Sequence, residues 1–424
     1  MGEDSKLGWK IKQQIARFAG RLTEGMGAVR KRFVAEMLYG IQAAKDVKVS
    51  EVARTLNEDI SLIKTENRLC RNLANEDLTE AVNRWTSWEG GGSVDSETVL
   101  AVDVGDVRKS YAKKMEYLGH VHDGSTDEIV PGYWLVEVVA AHPYGERITP
   151  LYGELYAQKA ADFVSENEQL LNAIRCVAAA TDKKGIWAID IGGDRREIII
   201  PLLDNELQFV IRQKGDRHIL LPSGRRCAIE RAAQWCRATE ERIVEVEREG
   251  YTAKKHLKLG TLPVRLPERP QKPVWLVVIR GLAPHPILLL TNVPPKSGMK
   301  HAEWIADIYL TRWKCEETYR FLKQSYHLED VRVRSYIGLR NTYALVHAAL
   351  YFVSVVIGTK AKLNLIFKKV YSKAKRFYEL ASFFAYAVAD GIHRLLFTSR
   401  TGAHPPAETP DTGQLAFPFL QPFQ

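Results

Sequence analysis

Cysteine is scarce in this 424-residue chain, and its cysteines are scattered: Cys70, Cys176, Cys227, Cys236 and Cys315. Their number is odd and no two have the Cys-x-x-Cys spacing, so neither a disulfide framework nor a cysteine zinc site is indicated. A secretory signal is not indicated either, because the first residues, MGEDSKLGWKIKQQ, contain no apolar run. These absences favour a protein of a reducing cytosol.

Long hydrophobic runs are also rare. The longest, TYALVHAALYFVSVVIG at 342–358, is short for a membrane span and contains His347. We therefore expect a buried helix at this position. No internal repeat is found.

What is abundant is core-forming and basic residues. The chain is 46% hydrophobic and 26% charged, which is enough for a large core in two or three domains. A net charge of +9 and a pI near 9.1 favour a polyanionic partner, either nucleic acid or an anionic membrane surface. The basic residues alternate with acids and predicted strands and form no single amphipathic basic helix, which argues against the membrane surface.

The first 90 residues have a helical pattern. The stretch VKVSEVARTLNEDISLIKTENRLCRNL predicts two helices typical of a small DNA-binding unit, with Ser50 as the N-cap. Other three-helix arrangements produce the same pattern. The sequence WEGGGSVDSE at 88–97 predicts a hinge after this domain.

The next region alternates between strands and helices, which predicts an α/β fold with a mixed sheet. We expect strands at 98–104, 111–118, 133–142, 148–157, 185–190 and 207–214, and helices at 161–179 and 195–203. The core then comprises 98–214 and 301–335, interrupted by a β-rich insertion at 215–300. A C-terminal helical region follows at 336–397, with a basic helix at 362–380, and the Pro-rich residues 398–424 predict a disordered tail.

The stretch YLTRWKCEETYRFLK, from 309 to 323, predicts a helix with two distinct stripes. At about 100° per residue, Tyr309, Arg312, Glu316 and Lys323 fall within an arc of roughly 60°. A neighbouring apolar stripe should pack on the core, and it consists of Ile308, Cys315, Leu322 and Tyr326. The structural interpretation of the polar stripe is a solvated face with Arg312–Glu316 and Glu316–Arg320 pairs.

Two further acids follow apolar strands, Asp103 after VLAV and Asp190 after IWAI. Either one alone is commonly a loop or helix cap. With Glu316 they would form three hard oxygen ligands, which is the kind of set that binds Mg²⁺. Asp106 and Asp194 are alternatives to Asp103 and Asp190, although the strand-end position favours the earlier residue of each pair.

The segments VLAVDVGDVRKSYAKKMEYL and GIWAIDIGGDR, with Tyr-x2-Arg-x3-Glu-x6-Lys at 309–323, resemble the DDE transposases of bacterial insertion sequences. Within these, the spacing is that of the group with a Tyr-Arg-Glu-Lys signature, the insertion-sequence family four type. The resemblance implies a ribonuclease-H-like core with Asp103, Asp190 and Glu316 as catalytic and metal-binding residues. It also implies DNA contacts by Tyr309, Arg312 and Lys323, and it suggests Trp275 or Trp304 as the aromatic side chain that holds a flipped base.

The resemblance further implies a function. We expect cleavage of element ends and joining to target DNA by two-metal phosphoryl transfer with Mg²⁺, or Mn²⁺ as a substitute, and a hairpin intermediate. Double-stranded DNA and a second copy of the chain in a paired-end complex are the expected partners, in the bacterial cytoplasm at the nucleoid. The alternatives are a domesticated DNA-binding protein without catalysis and a Mg²⁺-dependent nuclease of the same fold.

Overall fold

A large mixed sheet organises the protein. The computed structural model describes residues 3–124, 126–248, 251–357 and 385–398. Its first strands are β1 (Val99–Arg108), β2 (Gly119–Asp123), β3 (Glu128–Ala141), β4 (Ile148–Tyr156), β5 (Ile186–Ile189) and β6 (Gln208–Arg212). The later strands are β7 (His218–Leu220), β8 (Arg226–Ala228), β9 (Glu240–Arg248), β10 (Tyr251–Leu266), β11 (Arg269–Arg280) and β12 (Ile287–Thr291).

Strand β1 is central because it pairs antiparallel with β3 and parallel with β5. β5 pairs parallel with β6, and β4 lies beyond β3. Strand β12 then pairs with β6 and leads through β11 and β10 to β7 and β8. The strand-rich stretch at 215–300 therefore extends the core sheet, and this confirms the expected α/β fold with a mixed sheet.

Helices lie before, between and after the strands. The N-terminal helices are α1 (Glu3–Leu22), α2 (Ala28–Ala44), α3 (Val49–Leu56), α4 (Leu62–Leu73) and α5 (Thr79–Gly91). Within the α/β region lie α6 (Glu166–Ala180), α7 (Arg196–Asp204), α8 (Ile229–Trp235), α9 (His301–Thr311) and α10 (Trp313–Ser325). Two further helices are α11 (Tyr336–Tyr351) and α12 (Ala385–Thr398). The expected helices at both ends of the chain are thus present.

Both faces of the central strands are covered, which explains their continuous apolar sequence. Helices α6 and α7 share one apolar cluster with one face of the sheet. The opposite face joins α10, α11, α12 and the N-terminal helices in a second cluster. The apolar stripe predicted from the sequence, Ile308, Cys315, Leu322 and Tyr326, is fully buried.

The strand expected at 111–118 is wrong, because these residues form turns and β2 begins only at Gly119. Tyr111, Lys113 and Lys114 are exposed, and the partly buried residues Met115 and Leu118 are three positions apart, which does not fit the two-residue period of a strand. The backbone N–H of Ala112 donates to the carbonyl of Lys109 at 2.9 Å, which turns the chain.

Two smaller N-terminal expectations also differ from the structure. Lys48, and not Ser50, is the N-cap of α3. Gly90 and Gly91 do not form an open hinge, because α5 runs through them and a Cβ on Gly91 would lie 2.5 Å from the carbonyl oxygen of Ala180. The glycines allow the helix to pack closely against the α/β core.

At the C-terminal end, α11 is buried as expected and continues into a π-helical turn at Phe352–Val356. The basic helix expected at 362–380 and the tail expected to be disordered beyond 398 lie outside the described residues. Among the described residues, no helix combines the length and apolar character needed to cross a bilayer.

Candidate active site

Asp103 lies on β1 where the strand leaves the fully buried region of the sheet. One of its carboxylate oxygens accepts a hydrogen bond from the N–H of Val104 at 3.0 Å. Its backbone carbonyl accepts one from the Tyr319 hydroxyl at 2.7 Å. Helix α10 therefore packs directly against this position.

Asp190 follows β5 at the same edge of the sheet. In the parallel pairing, Val102 is the partner of Ile189, so the next residues along the two strands are Asp103 and Asp190. The Asp190 carboxylate accepts from the N–H of Gly192 at 2.7 Å and thereby caps a short 3-10 turn. The register therefore makes the two strand-end acids neighbours on adjacent strands.

Arg312 connects the sheet to Glu316. It lies at the junction between α9 and α10, so the helix predicted over 309–323 is divided at this residue. Its guanidinium is 3.2 Å from an Asp103 carboxylate oxygen and 2.5 Å from a Glu316 oxygen. The arginine is only 6% exposed. A buried cation thus bridges two of the three expected acids.

The charges of this group influence one another. Burial raises the pKa of Asp103 to about 7, against the opposing effect of Arg312, and the negative charges of Asp190 and Glu316 raise it further. Burial acts to lower the pKa of Arg312, but Asp103 and Glu316 outweigh it and raise the pKa. The three acids and the arginine therefore form one electrostatic unit.

The Glu316–Arg320 pair expected from helical spacing is not the pair that forms. Arg320 is paired with Glu317 instead. Glu316 keeps Arg312 as its partner, while its side chain remains about one-third exposed, at 35%. Glu316 therefore has a carboxylate surface open to solvent beside the buried arginine.

Lys323 lies two helical turns beyond Glu316 on the same face of α10. Its ammonium is 2.9 Å from Asp106 and 3.1 Å from Glu329. Asp106, the alternative to Asp103, is thus paired with Lys323 and not with Arg312. This pairing favours Asp103 as the acid of the site.

Asp194, the alternative to Asp190, has a structural environment. Its side chain is 2% exposed and lies 2.6 Å from a guanidinium nitrogen of Arg217. It also accepts from the backbone N–H of Lys214 at 2.8 Å. Asp194 therefore fixes the chain after β6, where the insertion begins, and Asp190 is the freer of the two.

The aromatic residues expected to contact DNA are packed to different extents. Tyr309 is 4% exposed and Trp304 is 7% exposed, with the Arg312 guanidinium 5.8 Å from the Tyr309 ring centre. Trp275 on β11 is partly exposed, with its ring 6.2 Å from that of His301. Of the two tryptophans, Trp275 offers more surface to a ligand.

The donor set suits a hard divalent cation. Asp103, Asp190 and Glu316 bring carboxylates from two strands and a helix, and their mutual repulsion is the kind that a cation relieves. In the described part of the chain, however, no group of three His, Cys, Asp or Glu side chains is already arranged around a common metal position. Arg312 lies between Asp103 and Glu316, and Asp190 accepts from Gly192.

Two features of the site are missing from the sequence-based interpretation. One is the Arg312–Asp103 contact, which joins residues 209 positions apart and leaves no local pattern. The other is the contact between Gly105 and Tyr319, where a Cβ on Gly105 would lie 2.9 Å from the tyrosine ring. Glycine within a strand often marks close approach by another element, so Gly105 in DVGD is a signal for this contact.

Residues 161–352 match the family model described as Transposase DDE domain, a range that contains Asp190 and Glu316 and begins after Asp103. This part of the chain is therefore similar to a transposase DDE domain. None of the curated proteins matches the chain.

Among solved structures, one similar chain belongs to the cryo-EM structure of the piggyBac transposase synaptic complex with hairpin DNA. It is 9% identical in sequence, with a TM-score of 0.46, and the alignment covers 94% of the present chain and 80% of the other.

Proposed function

We propose that this protein is a DNA transposase of the insertion-sequence group marked by the Tyr-Arg-Glu-Lys signature, with Asp103, Asp190 and Glu316 as its acidic triad. The observation that carries the proposal is the bridge from Asp103 through Arg312 to Glu316, with Asp190 adjacent through the strand register. The match of residues 161–352 to a transposase DDE domain supports the same conclusion.

The three carboxylates are the residues that would hold Mg²⁺, or Mn²⁺ in its place. When bound, such ions supply activation of the attacking oxygen and stabilisation of the leaving oxygen in phosphoryl transfer. The chain's own contribution is to keep the acids together at one sheet edge and to compensate their charge with Arg312.

Arg312 and Lys323 have a second task in this proposal, which is to bind phosphates beside the scissile bond. A guanidinium presents several N–H donors that match phosphate oxygens, whereas an ammonium acts as a point charge. Arg312 lies at the junction before α10, and Lys323 lies on the face of α10 that carries Glu316. The two cations can therefore bind neighbouring phosphates of one DNA strand. The Tyr309 ring packs against the Arg312 guanidinium in a cation–π contact.

The substrate in this proposal is duplex DNA at the two ends of a mobile element. Cleavage exposes a 3′-OH, whose attack on the opposite strand would give a hairpin and whose attack on target DNA would join the element to a new site. Two protomers holding two ends would form a paired-end complex in the bacterial cytoplasm.

The proposal is tested by incubating the protein with linear DNA that carries the ends flanking its own genomic locus, in Mg²⁺ and separately in Ca²⁺. Glu316→Gln is the informative variant. Glu317→Gln is its matched control, because Glu317 is the adjacent acid on α10 and pairs with Arg320 outside the site. Products are resolved on a denaturing gel, and complex size is measured by light scattering.

We expect end-specific nicks or hairpins in Mg²⁺ from the wild type and Glu317→Gln, and none from Glu316→Gln. Cleavage by Glu316→Gln at the wild-type rate would refute the assignment of Glu316. Specific binding of the ends without cleavage by any of the three proteins would instead identify a DNA-binding protein, and cleavage without end preference would identify a nuclease.

A further inference from the structure

A basic cleft opens where β1 ends, some distance from the acidic triad. It lies between the loop that follows β1, at 109–118, and the segment at 328–335, and it encloses about 820 Å³. We refer to it as the β1-end cleft. Its lining includes six cationic side chains and two acidic ones: Arg108, Lys109, Lys113, Lys114, Arg332 and Arg334, with Glu329 and Asp330.

The two acids of the cleft are neutralised within the protein. Glu329 lies 3.1 Å from Arg108 and 3.1 Å from Lys323. Asp330 lies 3.0 Å from Lys48. Their negative charges are therefore compensated and oppose the binding of an anion only weakly.

Four of the cations have no such compensation. Lys113, Lys114, Arg332 and Arg334 are exposed, and no ion pair of theirs occurs within the described ranges. The ring of Tyr111, at the mouth of the cleft, is 98% exposed. Like charges gathered on two facing walls repel one another, and a polyanion bound between them would relieve that repulsion.

The walls of the cleft are fixed to each other by buried hydrogen bonds. The Lys109 ammonium donates to the carbonyls of Glu329 at 2.5 Å and Val331 at 2.9 Å. At the other end, the backbone N–H of Glu116 donates to the carbonyl of Arg334 at 3.0 Å, and its carboxylate accepts from the N–H of Tyr336 at 2.7 Å. The exposed cations are thus held on a rigid frame, so little ordering is needed on binding.

The cleft also lies between two parts of the protein that the proposed function assigns to DNA. Lys323, on the triad face of α10, contacts both Asp106 on β1 and Glu329 in the cleft wall. On the far side, Lys48 contacts Asp330 and is the N-cap of α3, the first helix of the expected DNA-binding unit. A DNA strand running from that unit to the triad would pass along the cleft.

We propose that the β1-end cleft binds the phosphate backbone of the element end about five base pairs inside the cleavage site. The spacing follows from β1, since the five residues from Asp103 to Arg108 span roughly 17 Å at about 3.3 Å per residue. This length corresponds to about five base pairs at 3.4 Å each. The inference rests on the proposed function and adds to it a subsite that binds the duplex on the mobile-element side of the cleavage site.

The test compares three proteins that bind end DNA in Ca²⁺ at several salt concentrations. The cleft variant is Lys113→Gln/Lys114→Gln/Arg332→Gln/Arg334→Gln. The control variant also removes four exposed cations, and it is Lys183→Gln/Lys184→Gln/Arg225→Gln/Arg226→Gln. The two lysines precede β5, at the end of the strand opposite Asp190, and the two arginines are at β8, the last strand of the sheet. Unfolding midpoints of all three proteins verify that the substitutions leave the fold intact.

We expect the cleft variant to bind about 10- to 100-fold more weakly at 100 mM salt, with the slope of log affinity against log salt reduced by about 2 to 4, since each phosphate contact contributes about 0.9. The control variant should stay within about two-fold of the wild type. Uncharged methylphosphonates placed 4 to 6 base pairs inside the cut should weaken the wild type and the control but leave the cleft variant nearly unchanged.

The proposal is overturned if the methylphosphonates weaken binding equally in all three proteins. It is also overturned if the cleft variant binds end DNA with the affinity and the salt slope of the wild type. A scrambled duplex separates this outcome from failure of the proposed function. If the wild type binds its own ends no better than scrambled DNA, the element-side placement is overturned together with the transposase assignment. A cleft variant that alone loses the salt slope on scrambled DNA would then identify a general DNA-binding cleft.

Discussion

Arg312 donates to Asp103 across 3.2 Å, and this contact joins the helical stripe to the central strand of the sheet. The same guanidinium holds Glu316. A buried arginine in this position compensates carboxylates that would otherwise repel each other, and a divalent cation could take over that task. We therefore expect a bound metal to restore part of the stability that is lost when Arg312 is removed.

Arg312→Ala should therefore lower the free energy of unfolding by about 3 kcal/mol in metal-free buffer, because it leaves buried carboxylates without a counter-charge. Millimolar Mg²⁺ should recover more stability in this variant than in the wild type. Urea denaturation with and without Mg²⁺ measures both effects. Arg320→Ala, which removes an exposed pair on the same helix, should change stability by less than about 1 kcal/mol in either buffer. Equal responses of Arg312→Ala and wild type to Mg²⁺ would contradict the prediction.

Substitution by asparagine should affect stability at Asp194 and end cleavage at Asp190. Asp194→Asn removes one charge of a buried pair with Arg217 and should cost about 2 to 4 kcal/mol of stability. Asp190→Asn should leave stability within about 1 kcal/mol and abolish end cleavage. Urea denaturation and cleavage per folded molecule are measured for both variants. If Asp190→Asn cleaves normally while Asp194→Asn folds stably without cleaving, the two roles are reversed.

Gly105→Ala should destabilise the protein by about 1 to 3 kcal/mol, because the added methyl group would press on the Tyr319 ring. Gly119→Ala is the matched control, since the nearest atom to its Cβ is a carbonyl oxygen at 3.7 Å, an ordinary contact. Thermal unfolding compares the two. The close packing of β1 against α10 would be disproved by equal midpoints for Gly105→Ala and the wild type.

Lys12 is a buried residue of α1 that faces Tyr39 on α2, and its burial makes stability depend on alkaline pH. Burial lowers its pKa to about 8, while the Tyr39 ring, 5.5 Å from the ammonium, favours the charged form. In the unfolded chain the group holds its proton to about pH 10.4, so between pH 8 and 10 the unfolded state binds more protons and stability rises with pH. Burial raises the pKa of Tyr39, which keeps that ring neutral in this range.

Lys12→Met removes the titrating group. It should be more stable than the wild type at pH 7, by up to about 3 kcal/mol, and the difference should shrink as the pH rises towards 10. Urea denaturation at several pH values gives the difference directly. A difference that does not vary with pH would show that Lys12 is not buried as a charged group.

The sequence predicts those parts of the site that follow from local periodicity. The buried runs before Asp103 and Asp190 specify strands, and the spacing of Ile308, Cys315, Leu322 and Tyr326 specifies the buried face of a helix. Asp106 and Asp194 could not be decided in this way, because their partners, Lys323 and Arg217, are brought close only by folding.

The wrong strand at 111–118 has a related cause. The residues YAKKMEYL include two tyrosines and three other apolar residues, which favours a strand, but only Met115 and Leu118 pack against the core and Tyr111 is exposed. What holds this loop is Lys109, whose ammonium donates to the carbonyls of Glu329 and Val331. A lysine that anchors a distant segment has no signature in the sequence.

The central claim, that Glu316 is a metal ligand of a DNA-cleaving site, is tested most directly by changing the chemistry of that ligand. Glu316→Cys offers a soft sulfur in place of a hard oxygen, so it should fail to cleave element ends in Mg²⁺ and regain cleavage in Mn²⁺, which accepts sulfur more readily. Glu317→Cys should cleave in both metals. Wild-type cleavage by Glu316→Cys in Mg²⁺ would contradict the account.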